Sequence, residues 1–156
     1  MDIRNGVIHP PGPEPFFPAG YNLSSMDAIE EFFEKDLFAR ENGIELLHVG
    51  KGVAGVRMAI REKHLNSHGT VHGGAIFSLA DCAFALASNS HGVPAAAINA
   101  HISYMKAAKS GSLRAEAREF ALNPRLATYT VEVTDDAGEK IAIFQGMAYR
   151  KTPPRG

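Results

Sequence analysis

The sequence predicts an α+β fold in which an antiparallel β-sheet wraps around one long central helix. Three observations predict it. From Gly74 to Asn89 runs a proline-free stretch dominated by alanine, leucine, isoleucine and phenylalanine, a composition that favours helix and is apolar nearly all round, as a buried helix is. Four strand-like segments follow without another helix, near 95–105, 113–122, 127–134 and 140–149. Their separators, Lys109-Ser110-Gly111, Asn123-Pro124-Arg125 and Asp135-Asp136-Ala137-Gly138, are too short for parallel crossovers, which need a dozen or more residues.

Taken in order, residues 1–20 carry Pro10, Pro11, Pro13, Pro15 and Pro18 and read as an extended or disordered arm that Phe16 and Phe17 could pin to the body. Ser24 or Ser25 can cap a helix over 26–40 with an apolar stripe of Ile29, Phe32, Phe33, Leu37 and Phe38, stopped by Asn42-Gly43. Leu46 and Val49 mark a first strand, and Val53, Val56, Met58 and Ile60 a second, joined at the hairpin turn Gly50-Lys51-Gly52. After the central helix, Gly92 stands where a left-handed C-cap glycine is expected. Thr128 to Val133 alternates clearly, and Asp-Ala-Gly makes a good hairpin turn. The expected domain spans 21–151, with a tail at 152–156.

A chain of 156 residues can bury one real core. Its formal charge of −1 and the lack of a basic run argue against nucleic acid and give no electrostatic pull toward a membrane. A lone cysteine, Cys82, excludes an internal disulfide framework and fits a reducing compartment. The first residues show no signal-peptide pattern and no stretch reads as membrane-spanning, so a cytoplasmic protein is expected.

Chemistry concentrates between Asn66 and Gly92. His72-Gly73-Gly74 sits where a loop becomes the central helix, whose first amides lack intrahelical acceptors and carry the positive end of the dipole. Two glycines let another molecule approach those amides, a ready place for a developing oxyanion, although a tight loop-to-helix turn needs the same residues. Asp81 stands in mid-helix, where a lone acid is costly unless paired with a serine or backbone group, hydrated or used. It follows Gly73 by eight positions, roughly 12 Å along one helix, too far for both to act on one carbonyl. Two helices packed antiparallel across a two-fold axis would bring each Asp81 to the other chain's Gly73, so a catalytic reading requires a dimer. Asn66 can hold a water or a substrate oxygen, or make a local turn. His64, His68, His72, His91 and His101 lack the spacing of a zinc helix motif, so no metal site is expected. Cys82 has no cationic neighbour to activate it and reads as packing.

The run His-Gly-Gly-Ala-Ile-Phe-Ser-Leu-Ala-Asp-Cys-Ala-Phe-Ala-Leu-Ala-Ser-Asn-Ser, residues 72–90, closely resembles the hotdog-fold acyl-CoA thioesterases, and in particular the PaaI-like thioesterases of phenylacetate degradation. The resemblance extends from the first helix to Tyr149. Residues 102–111 resemble the family's strand leading into a Pro-Ala-x-x-Gly turn, with Ala107 where proline is usual. It implies hydrolysis of a CoA thioester with no cofactor, CoA being part of the substrate, by homodimers with shared active sites that often pair into homotetramers.

Carried over, Asp81 is the nucleophile or the general base, the Gly73 amide polarises the thioester carbonyl, Asn66 positions substrate or water, and His72 shapes the loop. Gly74, beside them, leaves room for substrate. Some relatives place a hydroxyl residue one turn after the acid; here that position is Ala85. The positions matching CoA contacts are Asn99, Lys106, Lys109, Asn123 and Arg125. Phe77, Phe84, Tyr104 and Met105 suggest a medium-chain or aromatic acyl group. The rival readings are a thioesterase for acyl carrier protein or a quinone-pathway aryl-CoA, a hydratase on a similar sheet, and a non-catalytic acyl-CoA binder.

Overall fold

The computed structural model describes residues 25–151 and, by backbone only, two short strands near the start. These are β1 (Asp2–Arg4) and β2 (Val7–His9), an antiparallel pair inside the segment expected to be an extended or disordered arm. Phe16, Phe17 and the 152–156 tail lie outside the described residues.

The expected single helix over 26–40 is two: α1 (Met26–Glu34) and α2 (Leu37–Glu41). Ser25 caps the first through Ala28 N–H at 3.2 Å. Asp36 starts the second by accepting Ala39 N–H at 2.9 Å, and this side-chain cap interrupts the run that the apolar spacing alone would continue. The stripe splits with it. Ile29 is buried and Phe32 and Phe33 pack on the core, whereas Leu37 and Phe38 stay 65% and 61% exposed.

Six further strands make one sheet: β3 (Ile44–Gly50), β4 (Val53–Ala59), β5 (Ala95–Tyr104), β6 (Ser112–Leu122), β7 (Leu126–Asp135) and β8 (Lys140–Arg150). Their order is β3-β4-β6-β7-β8-β5 and every neighbouring pair is antiparallel. The central helix α3 (Gly73–Asn89) lies in the concave side, against Val56, Leu113, Ala115, Val131 and Phe144. Phe84 packs between the rings of Tyr129 and Phe144, both 5.6 Å away by centroid. A Cβ on Gly146 would sit 2.8 Å from that ring, so the small residue lets the helix settle onto β8.

The sheet leaves β3 and β5 as edges. β5, which follows α3, crosses the whole sheet to pair with β8, and its bulge between Ala97 and Asn99 turns Ile98 out to 57% exposure. Gly92 takes the expected left-handed φ, +76°, but it stands two residues past Ser90, which is the C-cap of α3. No helix among the described residues is long and apolar enough to cross a membrane.

Candidate active site

The loop entering α3 is held from both sides. Val71 N–H donates to Ala108 O at 2.8 Å and His72 N–H to His64 O at 2.7 Å. Asn66 closes the loop on itself: its Oδ1 accepts the amides of His68 and Thr70 at 2.9 and 3.2 Å, and its Nδ2 donates to Thr70 Oγ1 at 3.0 Å. Of the two roles open to Asn66, the local turn is thus the one visible within a single chain.

His72 is the N-cap of α3. Its Nδ1 accepts Gly74 N–H at 2.8 Å, and its carbonyl takes Ala75 and Ile76 N–H at 2.9 and 3.2 Å. An imidazole here does what Ser, Asp or Asn usually does. No described residue accepts Gly73 N–H, which points out of the positive end of a helix of 17 residues. The Gly73 carbonyl accepts the Tyr104 hydroxyl at 2.8 Å. A Cβ on Gly73 would lie 3.0 Å from Tyr104 Cζ and its hydroxyl oxygen, so any larger residue would press on that ring. Gly74 contributes space; its amide is already taken.

Asp81 is half-buried and its carboxylate accepts no hydrogen bond from any described residue. Among the described residues it has no serine or backbone partner of the kind that would make it merely structural. Burial, and next the Asp36 carboxylate at the start of α2, push the Asp81 carboxyl above its ordinary range. Gly74, Ser78, Asp81 and Ala85 share one face, at helical spacing, and remain at least partly exposed while most of α3 is buried. Ser78 turns back to Gly74 O at 2.7 Å and leaves the acid alone. Cys82, beside it, is pushed up to about 12 by burial and stays an inert thiol.

The candidate CoA-binding residues do not converge within one chain. Lys106 and Lys109 lie at the end of the molecule that holds Gly73; Lys106 pairs with Glu139 at 2.7 Å. Asn123 and Arg125 lie at the other end: Asn123 Oδ1 closes the β6–β7 turn by accepting Arg125 and Leu126 N–H at 2.9 and 2.8 Å, and Arg125 O accepts Arg150 N–H at 2.7 Å. Asn99 pairs with Met147 on the outer face of the sheet and lines a 420 Å³ cavity there with Phe120, Thr128 and Gln145. Phe84, expected near the acyl group, is 1% exposed and belongs to the core.

Two features were not legible as site elements. The Tyr104 hydroxyl reaches Gly73 only because β5 returns beside the helix start. His64 is 2% exposed; its Nδ1 accepts Arg61 N–H and its Nε2–H donates to Asn42 O, both at 3.0 Å, which selects the neutral tautomer. Its carbonyl in turn holds His72. Among the described residues no three His, Cys, Asp or Glu side chains converge as metal ligands would.

Comparison with known proteins identifies the family of this fold. The thioesterase superfamily profile matches residues 68–142, from the entry loop of α3 into β8. The acyl-coenzyme A thioesterase PaaI of Escherichia coli is 34% identical over 119 residues, covering 76% of this chain and 85% of that one. Its structure, from the phenylacetic acid degradation operon, superposes with a TM-score of 0.77 at 32% identity, over 79% of this chain and 90% of that one. A Thermus thermophilus protein of known structure, TT0310, is 42% identical with a TM-score of 0.72, covering 75% and 99%. Human acyl-coenzyme A thioesterase 13 is 32% identical over 106 residues, 66% of this chain and 75% of that one.

The chain belongs to the thioesterase superfamily and has its hotdog fold. Within it the protein is PaaI-like, an enzyme of the thioester hydrolase class.

Proposed function

We infer that this protein is an acyl-CoA thioesterase whose active sites are shared between two antiparallel copies of α3. One observation carries the reading: a free helix-terminal amide at Gly73 and a carboxylate without a partner at Asp81 stand on one α3, roughly 12 Å apart. Neither can serve the other in its own chain. A two-fold axis across the Gly74, Ser78, Asp81 and Ala85 face places each acid by the partner's amide and gives two equivalent sites. The small side chains there let the helices approach closely. The same operation moves the partner's Asn123 and Arg125 toward the end that carries Lys106 and Lys109, a cationic set for the phosphates of CoA.

In this site the Gly73 amide takes the charge that develops on the thioester oxygen. Asp81 either draws a proton from a water that attacks the carbonyl carbon, or attacks it directly to form a mixed anhydride that water then hydrolyses. By either route the C–S bond breaks, water supplies the new C–O bond of the free acid, and CoA leaves as the thiol with a proton that comes from that water. Asn66 and His72 hold the loop. The names of the E. coli and human relatives support CoA as the thiol, and the operon of the former supports an arylacetyl group, with medium-chain acyl groups the alternative. No metal or cofactor enters the scheme. Dimers pairing into tetramers, in the cytoplasm, complete the reading.

The test is release of free thiol from phenylacetyl-, hydroxyphenylacetyl-, benzoyl-, hexanoyl- and palmitoyl-CoA, with Asp81→Asn alongside. Preference for the arylacetyl substrates, lost in the variant, is expected. Folded dimers that cleave none of them would overturn the reading in favour of a carrier-protein substrate or a non-catalytic binder.

A further inference from the structure

A groove of about 300 Å³ opens beside the Gly73 amide, between α2 and the first turns of α3. Phe38, Met58, Leu65 and Ala75 supply its apolar lining, and His72 and Gly74, on either side of Gly73 in sequence, also line it. The other polar lining side chains are already committed within the chain. Asn42 Nδ2 donates to Phe38 O at 2.9 Å, His64 Nε2–H to Asn42 O at 3.0 Å and Ser78 Oγ to Gly74 O at 2.7 Å, while Lys63 Nζ donates to Glu41 O.

A thioester held by its carbonyl at Gly73 extends two limbs, the acyl group and the pantetheine arm. The arm carries two amides, which this groove would leave largely without hydrogen-bond partners, and burying such groups unpaired is unfavourable. An apolar acyl group suffers no such loss. We propose that the groove between α2 and α3 is the acyl pocket of the thioesterase, and that Phe38, with Met58 beneath it, sets the largest acyl group accepted. At the roughly 30 Å³ one water occupies in the liquid, the groove holds about ten non-hydrogen atoms. That fits an arylacetyl or a medium-chain group, whereas a long fatty acyl chain would outrun the groove.

The two walls differ in what they tolerate. Met58 is 1% exposed and part of the core, whereas Phe38 is 61% exposed on a short helix and makes no ring contact with another aromatic residue among the described residues. Phe38 is therefore the specificity-determining residue open to substitution. Its neighbour Leu37, equally exposed, does not line the groove and serves as the control.

This proposal rests on the acyl-CoA thioesterase reading, and the experiment separates the two. Acetyl-, hexanoyl-, phenylacetyl- and dodecanoyl-CoA are assayed with the wild type, Phe38→Ala, Phe38→Leu, Phe38→Trp and Leu37→Ala, after circular dichroism has shown each to be folded. Phe38→Ala is expected to raise kcat/KM for dodecanoyl relative to hexanoyl by about tenfold or more, the scale of small changes in an apolar pocket. Phe38→Leu shifts the ratio partway. Phe38→Trp depresses hexanoyl and phenylacetyl while sparing acetyl, and Leu37→Ala leaves the profile unchanged. Folded, active Phe38 variants with the wild-type profile overturn the pocket assignment alone. A wild type that cleaves no acyl-CoA overturns the underlying reading, and the pocket with it.

Discussion

The imidazole of His72 accepts the amide of Gly74 at 2.8 Å, and by doing so leaves the amide one residue earlier as the free donor of the helix. A capping side chain thus selects which N–H stays free, the one that the proposed site would present to substrate. Replacing His72 by alanine is expected to cost about 1 kcal/mol of stability, the usual cost of a lost cap, and to lower kcat because Gly74 then competes for the same oxyanion. His72→Asn, which can cap, should restore most of the melting temperature. Thermal melts and kcat for the pair check this.

Asp81→Asn should cut kcat by about 10²- to 10⁴-fold, the range for removal of a positioned acid–base group, with the fold intact. The same variant should be more stable than the wild type at neutral pH. The folded protein holds the Asp81 carboxyl above its ordinary 3.8, so the favourable contribution is complete below that value and is lost as pH rises through the raised one. The gap between variant and wild type therefore opens with rising pH. Replacing a strained functional residue commonly yields about 0.5–2 kcal/mol, or a few degrees in Tm. Melts of both proteins at acid and neutral pH would show a constant gap if the acid were unstrained.

Shared sites predict complementation. Asp81→Asn and Gly73→Val are each expected to be nearly inactive alone. After unfolding and refolding together, mixed dimers carry one intact Asp81 facing one intact Gly73, and about a quarter of the wild-type activity should return by random pairing of two-fold dimers. A mixture no more active than its components would place both residues of a site in one chain.

Tyr104→Phe removes the hydroxyl that donates to Gly73 O at 2.8 Å. A hydrogen bond of this kind contributes up to about 1 kcal/mol to stability, less at half-exposed Tyr104, so a small drop in melting temperature is expected together with a lowered kcat/KM as the Gly73 peptide loses its anchor. An unchanged rate would mean that the carbonyl needs no anchor.

Acid should unlatch the entry loop through His64. Burial holds its ring below the ordinary 6.5, and the proton it would gain removes the acceptor that takes Arg61 N–H. The unfolded chain binds that proton more readily, so His64 contributes stability in full above about pH 6.5 and loses it as pH falls through the lowered value. His64→Gln, which can still donate and accept, should flatten this part of the pH–stability curve. Chemical denaturation between neutral and mildly acidic pH measures it.

Much of the fold was legible because its signals are local. Apolar composition marked α3, and the glycine and Asp-Ala-Gly punctuation placed the strands to within a residue or two. The break between α1 and α2 was missed because periodicity continues through Lys35 and Asp36, and only the realised cap of Asp36 on Ala39 ends the first helix. At the site, the His-Gly-Gly run and the distance from Gly73 to Asp81 were readable from helical geometry, which is where the proposal of a shared site begins.

Contacts between residues far apart in sequence were not readable. Tyr104 on Gly73, His64 beneath His72, Asp36 near Asp81 and Phe38 across the groove all depend on how β5 and α2 return to the central helix. Residue order alone dictates the buried helix, the antiparallel strands and the chemistry at the ends of the 73–81 span, since these follow from composition, turn residues and a fixed rise per residue. Packing alone dictates which amide is free, whether the acid has a partner and where an acyl group fits. Those are properties of space between elements, and burial and hydrogen-bond competition exist only once the elements are packed together.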